Sequence, residues 1–90
     1  MVERSDPVRV VRVRSERDLG LALREARRSR GLTQADLAEQ IGIERAYLAA
    51  LEAGRSTRLV GHLLRSFRRL GVNVTISWDV SDKRSESNDD

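Results

Sequence analysis

Arg45, Ala46, Tyr47, Ala49 and Ala50 form a short run in which one guanidinium stands among side chains too small to compete with it. On a helix, such a run offers recognition chemistry. Arginine can donate two parallel hydrogen bonds to the O6/N7 edge of a guanine, while alanine can only touch a thymine methyl or admit close approach. Tyr47 adds a phenol that can bond a phosphate or pack beside it. Bond-breaking chemistry has no comparable set of residues. His62 is the single histidine, there is no cysteine, and no Ser/His/Asp grouping, phosphate-cradling glycine loop or metal-ligand spacing is present. The chain is therefore expected to recognise rather than to catalyse, with no cofactor and no metal.

The elements that must position this run are legible around it. Residues 31–54, GLTQADLAEQIGIERAYLAALEAG, read as a short helix, a glycine turn and a second short helix. Thr33 caps the first of these, which runs to about Ile41 with Leu37, Ala38 and Ile41 on its inner face. Ala38 must be small because the next helix crosses close to it. Gly42 supplies the turn, where a positive φ is needed, and Ile43 plugs the corner. The next helix spans about 44–53, with Leu48 and Leu51 facing inward. With Leu48 as the inward direction at 100° per residue, Ala46 and Ala50 point away from the core, Ala49 and Ala53 flank them, and Arg45 projects at the exposed start. This is the layout of a helix-turn-helix, which lays its second helix in the DNA major groove. Arg55 and Arg58, just beyond that helix, are candidate phosphate clamps. A solvated loop is the alternative.

Two further helices flank the motif. Ser15 caps the one before it, with Asp18 in a capping-box position. Leu19, Ala22, Leu23 and Ala26 make its apolar face. Arg27, Arg28 and Arg30 favour the dipole of its last turn, and Gly31 ends it. After the motif, Thr57 or Ser56 caps a helix of about 58–70 carrying Val60, Leu63, Leu64 and Phe67 at helical spacing. Residues 72–78, VNVTISW, alternate with Val72, Val74, Ile76 and Trp78 on one side, as in a half-buried strand. Residues 8–14, VRVVRVR, favour a strand over a basic arm, although their arginines could also meet phosphates.

Ninety residues allow one small domain with a modest core. Only Tyr47, Phe67 and Trp78 are aromatic, and a core shared between two copies would relieve that shortage. Residues 1–78 carry 15 Arg and 9 acidic groups, a net +6, and residues 79–90 carry 2 basic and 5 acidic groups, a net −3. A basic body with an acidic tail fits a polyanion partner. A solvated surface rich in arginine, which supplies 16 of the 17 basic residues, is the alternative. Nothing resembles a signal peptide, and no apolar run approaches about 18 residues, so a soluble cytoplasmic protein is expected, with no membrane partner. The expected organisation is an N-terminal arm or strand over 1–14, a helix-turn-helix domain over 15–71, a dimerising strand over 72–80 and a disordered acidic tail over 81–90.

The motif resembles the Xre/Cro/λ-repressor type of helix-turn-helix, whose pattern is R-x-x-x-G-L-T-Q-x-x-L-A-x-x-x-G-I followed by L-x-x-L-E-x-G. Arg27, Gly31-Leu32-Thr33-Gln34, Leu37-Ala38, Gly42-Ile43 and Leu48…Leu51-Glu52…Gly54 match it. The match covers roughly residues 19–54 and is specific, because a dozen positions agree at fixed spacing. The resemblance implies a mainly α fold, a four-helix λ-repressor-like domain. It implies that Gln34 contacts a phosphate, that Arg45, Ala46 and Ala50 face base edges, and that Arg27 and Glu52 form an ion pair; Thr33, Tyr47, Ala49, Arg55 and Arg58 complete the expected DNA-binding set. The chain departs from the family at its reading face, where alanines stand in place of Gln, Ser or Asn. Arg45 is left as the one direct reader, and phosphate contacts, DNA shape and half-site spacing carry much of the rest.

The ends extend the resemblance. A lone strand needs partners for its backbone. Pairing of residues 72–78 with the same strand of a second copy would give a two-fold dimer, with Val72, Val74, Ile76 and Trp78 as dimerisation residues. The rival partner is residues 8–13, within the chain or across the dimer, and both could coexist in a four-stranded sheet. Such a lid resembles HipB-type antitoxins. That likeness implies a homodimer reading a palindromic operator before its own operon, with a HipA-like serine/threonine kinase toxin as partner and the acidic tail as a possible contact. A stand-alone Xre-type repressor, phage-derived or tied to a restriction system, and a protein-interaction module are the alternatives.

Overall fold

The computed structural model describes residues 7–55 and 57–80. Its order is β1 (Val8–Val13), α1 (Glu16–Ser29), α2 (Gln34–Ile41), α3 (Arg45–Glu52), α4 (Arg58–Arg69) and β2 (Val74–Asp79). The fold is mainly helical, with one small antiparallel sheet. Residue Ser56 and the tail over 81–90 lie outside the described residues, as does the lead over 1–6.

Local chemistry sets each helix boundary. The Asp18 amide donates to Ser15 Oγ at 3.3 Å, but the Asp18 carboxylate accepts from Arg14 N rather than closing a box on Ser15. At Thr33 the box is complete. The Asp36 amide donates to Thr33 Oγ1 and the Thr33 amide donates to Asp36 Oδ2, both at 3.0 Å. The bond from the Thr33 amide, with the Thr33 side chain assisting, favours the charged carboxylate and holds the Asp36 pKa below its ordinary range. Thr57 caps α4 through the Val60 amide. At the end of α2, Gly42 takes a φ of 76°, and the Ile43 amide reaches back to the Ala38 carbonyl at 3.0 Å. The chain thereby reverses within two residues and delivers α3 across α2.

The two strands pair within the chain, with Val8 opposite Asp79 and Val13 opposite Val74. Of the partners expected for this strand, residues 8–13 of the same chain are the one seen, so β1 supplies the backbone partner along one edge of β2. The alternation across β2 does appear, with Val74, Ile76 and Trp78 half-buried and their neighbours exposed. Val72 precedes the strand and is itself exposed. On β1 the Val10-Val11 step places Arg9, Val11 and Val13 on one face and Val8, Val10 and Arg12 on the other. Two arginines of β1 have side-chain partners within the chain. Arg9 pairs with Glu25 at 2.7 Å and Arg12 donates to Asn73 Oδ1 at 2.8 Å.

Among the described residues the buried apolar set is small: Val13, Ala22, Ala38, Leu48 and Leu64. It runs from the sheet through α1 to the crossing of α2 and α3. Gly20 on α1 is buried against the end of α3, where a Cβ would lie 2.4 Å from the Leu51 carbonyl oxygen.

Candidate nucleic-acid interface

The surface of interest is the outer side of α3 and the ends of the helices that hold it. Leu48 is completely buried and pins α3 from within. Arg45, Ala46 and Tyr47 are exposed on its first turn, Tyr47 at 50%. Ala49 and Ala50 are half-buried, so the outward face is narrower than a helical wheel suggests. The Ala50 carbonyl accepts from the Ala53 and Arg55 amides as the chain leaves the helix. Arg55 and Arg58 are exposed beyond that exit.

A buried polar knot fixes α3 from the other side. Arg27 on α1 donates through Nε to Glu52 Oε2 at 2.6 Å and through Nη2 to Glu52 Oε1 at 2.9 Å. The side chains are 7% and 3% exposed. Its third nitrogen, Nη1, donates to the Leu32 carbonyl at 2.7 Å, so Arg27 also closes the turn between α1 and α2. Gln34, the first residue of α2, donates through Nε2 to Glu52 Oε1 at 3.0 Å. One carboxylate thus ties together three helices. Hydrogen bonding from Arg27 holds the Glu52 pKa below its ordinary range against the opposing effect of burial, with Gln34 assisting. The same bond raises the pKa of Arg27.

Charge pattern alone gave no sign that Gln34 would join the knot, nor that Arg24 and Arg28 would stand beside it. Arg24, Arg28, Gln34, Ala49 and Ala53 line an open depression over Arg27 and Glu52. With Glu52 already neutralised by Arg27, Arg24 and Arg28 present their charge outward next to α3 and the first turn of α2. Of the first-turn amides, that of Asp36 is taken by Thr33 Oγ1, and those of Gln34 and Ala35 lack intrahelical partners and favour an anion. Thr33, expected among the DNA-binding residues, is exposed beside this turn and turns its hydroxyl to the Asp36 amide, which sets where α2 begins. Regular spacing along α1 would place Arg24, Arg27 and Arg28 on adjoining rows, and that was the available signal for the first and last of them.

His62 is exposed on α4. Among the described residues, no group of three or more His, Asp or Glu could hold a metal ion, and no helix is long and apolar enough to cross a membrane.

A helix-turn-helix domain family matches residues 22–69. The chain is also similar to the uncharacterized HTH-type transcriptional regulator y4mF of Sinorhizobium fredii, strain NBRC 101917 / NGR234. The two are 31% identical over 65 residues, which cover 72% of this chain and 86% of that protein. No solved structure matches the chain. The match to the family model takes in all of α2, α3 and α4 and half of α1, so it spans both helices of the motif and the knot that fixes them, and the chain belongs to the helix-turn-helix domain family.

Proposed function

We propose that this protein is a double-stranded-DNA-binding transcriptional repressor that lays α3 in the major groove. The observation that carries this reading is α3 itself, with Arg45 and Ala46 exposed on one side and Leu48 and Glu52 buried on the other. A helix held so firmly from behind presents a fixed reading face. Arg45 reads a guanine, Ala46 and Ala50 meet thymine methyls or permit close approach, and Tyr47 and Ala49 border the contact. Gln34, Arg55 and Arg58 hold phosphates, joined by Arg24 and Arg28 from the depression beside α3. Family membership and the y4mF similarity support a regulatory role.

Two copies reading a palindrome would place their α3 helices about 34 Å apart, one helical turn of DNA. The finer reading is an autorepressing antitoxin of a HipBA-type operon that neutralises a HipA-like kinase toxin. It is supported by the motif and by the strand that follows α4. A repressor without a toxin uses the same surface.

A gel shift with the promoter upstream of the gene, repeated at several salt concentrations and with the neighbouring gene product added, tests both levels. Arg45→Ala should lose about 1–3 kcal/mol of discrimination at one base pair of each half-site. Arg24→Ala and Arg28→Ala should weaken binding uniformly across sequences, each lowering the salt slope by about 1. An Arg45→Ala protein that binds its operator as tightly and as selectively as wild type would defeat the assignment of α3 as the reader.

A further inference from the structure

Among the described residues, the exposed Arg24 and Arg28 of α1 make no side-chain hydrogen bond or ion pair. Both border the depression beside α3. Arg28 also borders a second open depression, lined by Arg9, Glu25, Ser29, Trp78 and Val80. The carboxylates in these two depressions are already paired, Glu52 with Arg27 and Glu25 with Arg9. Two guanidinium charges therefore stand without a counter-charge on this side of α1. Val80 is where the described chain leaves β2, and its amide donates to the Pro7 carbonyl at 3.1 Å. The exit of the strand and the basic depression thus share a wall, the Arg28 side chain. Arg24 lies one turn along α1, about 6 Å away. The sequence after Val80 is SDKRSESNDD, and its second part, 85–90, gathers Glu86, Asp89 and Asp90 with no basic residue among them.

We propose that the acidic segment over 85–90 occupies the Arg24/Arg28 depression in the absence of DNA, and that DNA phosphates must displace it to enter. Charge selects this occupant. Carboxylate and phosphate oxygens are alternative acceptors for the same guanidinium fork, so the two arginines that hold a phosphate can hold Glu86, Asp89 or Asp90 instead. Chain length permits it. At up to about 3.3–3.6 Å per residue, the six residues from Val80 to Glu86 reach as far as about 20 Å, and Arg28 already stands beside Val80. The tether keeps the segment at an effective concentration in the millimolar range. There, even exposed ion pairs, weak one by one, compete with a duplex for the depression. A rival basic patch, Arg65, Arg68 and Arg69, is placed less well. It sits at the end of α4 that leads into the start of β2, a strand length of about 20 Å from Val80, and Arg68 there donates to the Arg14 carbonyl. The inference rests on the DNA-binding reading above and adds its regulation: the segment lowers affinity for every sequence alike, because it competes only with phosphates.

The chain has no cysteine, so a nitroxide attached to Asn88→Cys reports where the segment sits in the full chain without DNA. At low ionic strength it should broaden the amide signals of Arg24, Arg28 and Ala53, which border the depression. The broadening should fade with added salt and in the variant Glu86→Gln/Asp89→Asn/Asp90→Asn. No broadening at low salt, or broadening centred on Arg65 and Arg69, would overturn the proposal. The second measurement is affinity for a duplex of arbitrary sequence. The neutralised variant should bind several-fold more tightly than wild type at low salt, and the gain should vanish once Arg24→Ala/Arg28→Ala is added. No gain, or an equal gain in that background, would also overturn it, the latter because the segment would then act only through net charge. The two readings fail separately, since the nitroxide is read without DNA. A segment seated beside Arg28 in a protein that binds no duplex would remove the repressor reading and leave this contact standing.

Discussion

Arg27→Ala should lower the thermal midpoint by on the order of 15 °C. Truncation leaves the Glu52 carboxylate buried with only Gln34 to bond it, and breaking a buried pair from one side costs about 3 kcal/mol or more. In a domain of this size, 1 kcal/mol corresponds to about 4–8 °C. The loss exceeds the worth of the pair itself, because most of it is the penalty of an uncompensated charge. Arg27→Met/Glu52→Leu should therefore recover most of the stability. The pH dependence follows from the Glu52 carboxyl, whose native pKa lies below its ordinary value of about 4.3. Its stabilisation is fully present above that ordinary value and disappears as pH falls through the lower native value. Arg27, shifted upward, stays charged throughout this window. Wild type should lose stability below about pH 4 relative to the double variant, the Asp36 contribution being common to both. Melting curves of the three proteins across that range provide the check. A midpoint in Arg27→Ala equal to that of wild type would mean that Glu52 finds water or another donor at no cost.

The contrast with an exposed pair gives the scale. Arg9 and Glu25 also meet at 2.7 Å, but their side chains are 52% and 31% exposed. Such pairs contribute about 0–1 kcal/mol. What separates the two is the depth at which the charges sit, and sequence does not record depth.

Local signals made the helices legible and long-range ones did not. Thr33, Thr57 and Gly42 act within a few residues, so the starts of α2 and α4 and the turn before α3 could be placed from the chain alone. The helix bounds differ from the sequence reading chiefly at α3, which is one residue shorter at each end. Alternation likewise exposed the half-buried face of β2. Its partner was a different matter. A strand records that it will pair but not with what, and choosing between residues 8–13 and a second copy needs the path of the chain around α1. The interface shows the same division. Arg45 and Ala46 project because Leu48 fixes the phase of a single helix. Gln34 bonding Glu52, 18 positions away, and Arg24 standing over the same carboxylate depend on how three helices meet. Gly20 was silent for a related reason: on the wheel of α1 it reads as one small residue beside Leu19, and only the approach of α3 gives its missing Cβ a meaning.

Gly20→Ala should destabilise the protein by about 2 kcal/mol, within the range for overpacking a tight interior, although alanine is the better helix former. Helix propensity alone predicts a gain of up to about 1 kcal/mol for Gly to Ala in mid-helix, so the sign of the measured change separates the two effects. Space decides against alanine. The new Cβ would lie 2.4 Å from the Leu51 oxygen, 2.7 Å from the Glu52 oxygen and 2.9 Å from the Gly54 nitrogen. All three are backbone atoms, so no side-chain rotation relieves the contact, and α3 must move away from α1. Gly61→Ala is the informative comparison. There the nearest atom is Glu16 Oε2 at 2.7 Å, the far end of a flexible side chain, and stability should stay within about 1 kcal/mol of wild type. The consequence of the Gly20 change reaches past stability. Leu51 and Glu52 carry the end of α3 whose start bears Arg45, so displacing that end tilts the reading face. Gly20→Ala held at a temperature where it is fully folded should still bind the promoter more weakly than wild type, and Gly61→Ala should not. A Gly20→Ala protein that melts at or above the wild-type temperature would show that α1 and α3 have room to part, and would remove the rigid backing on which the reading role of α3 depends.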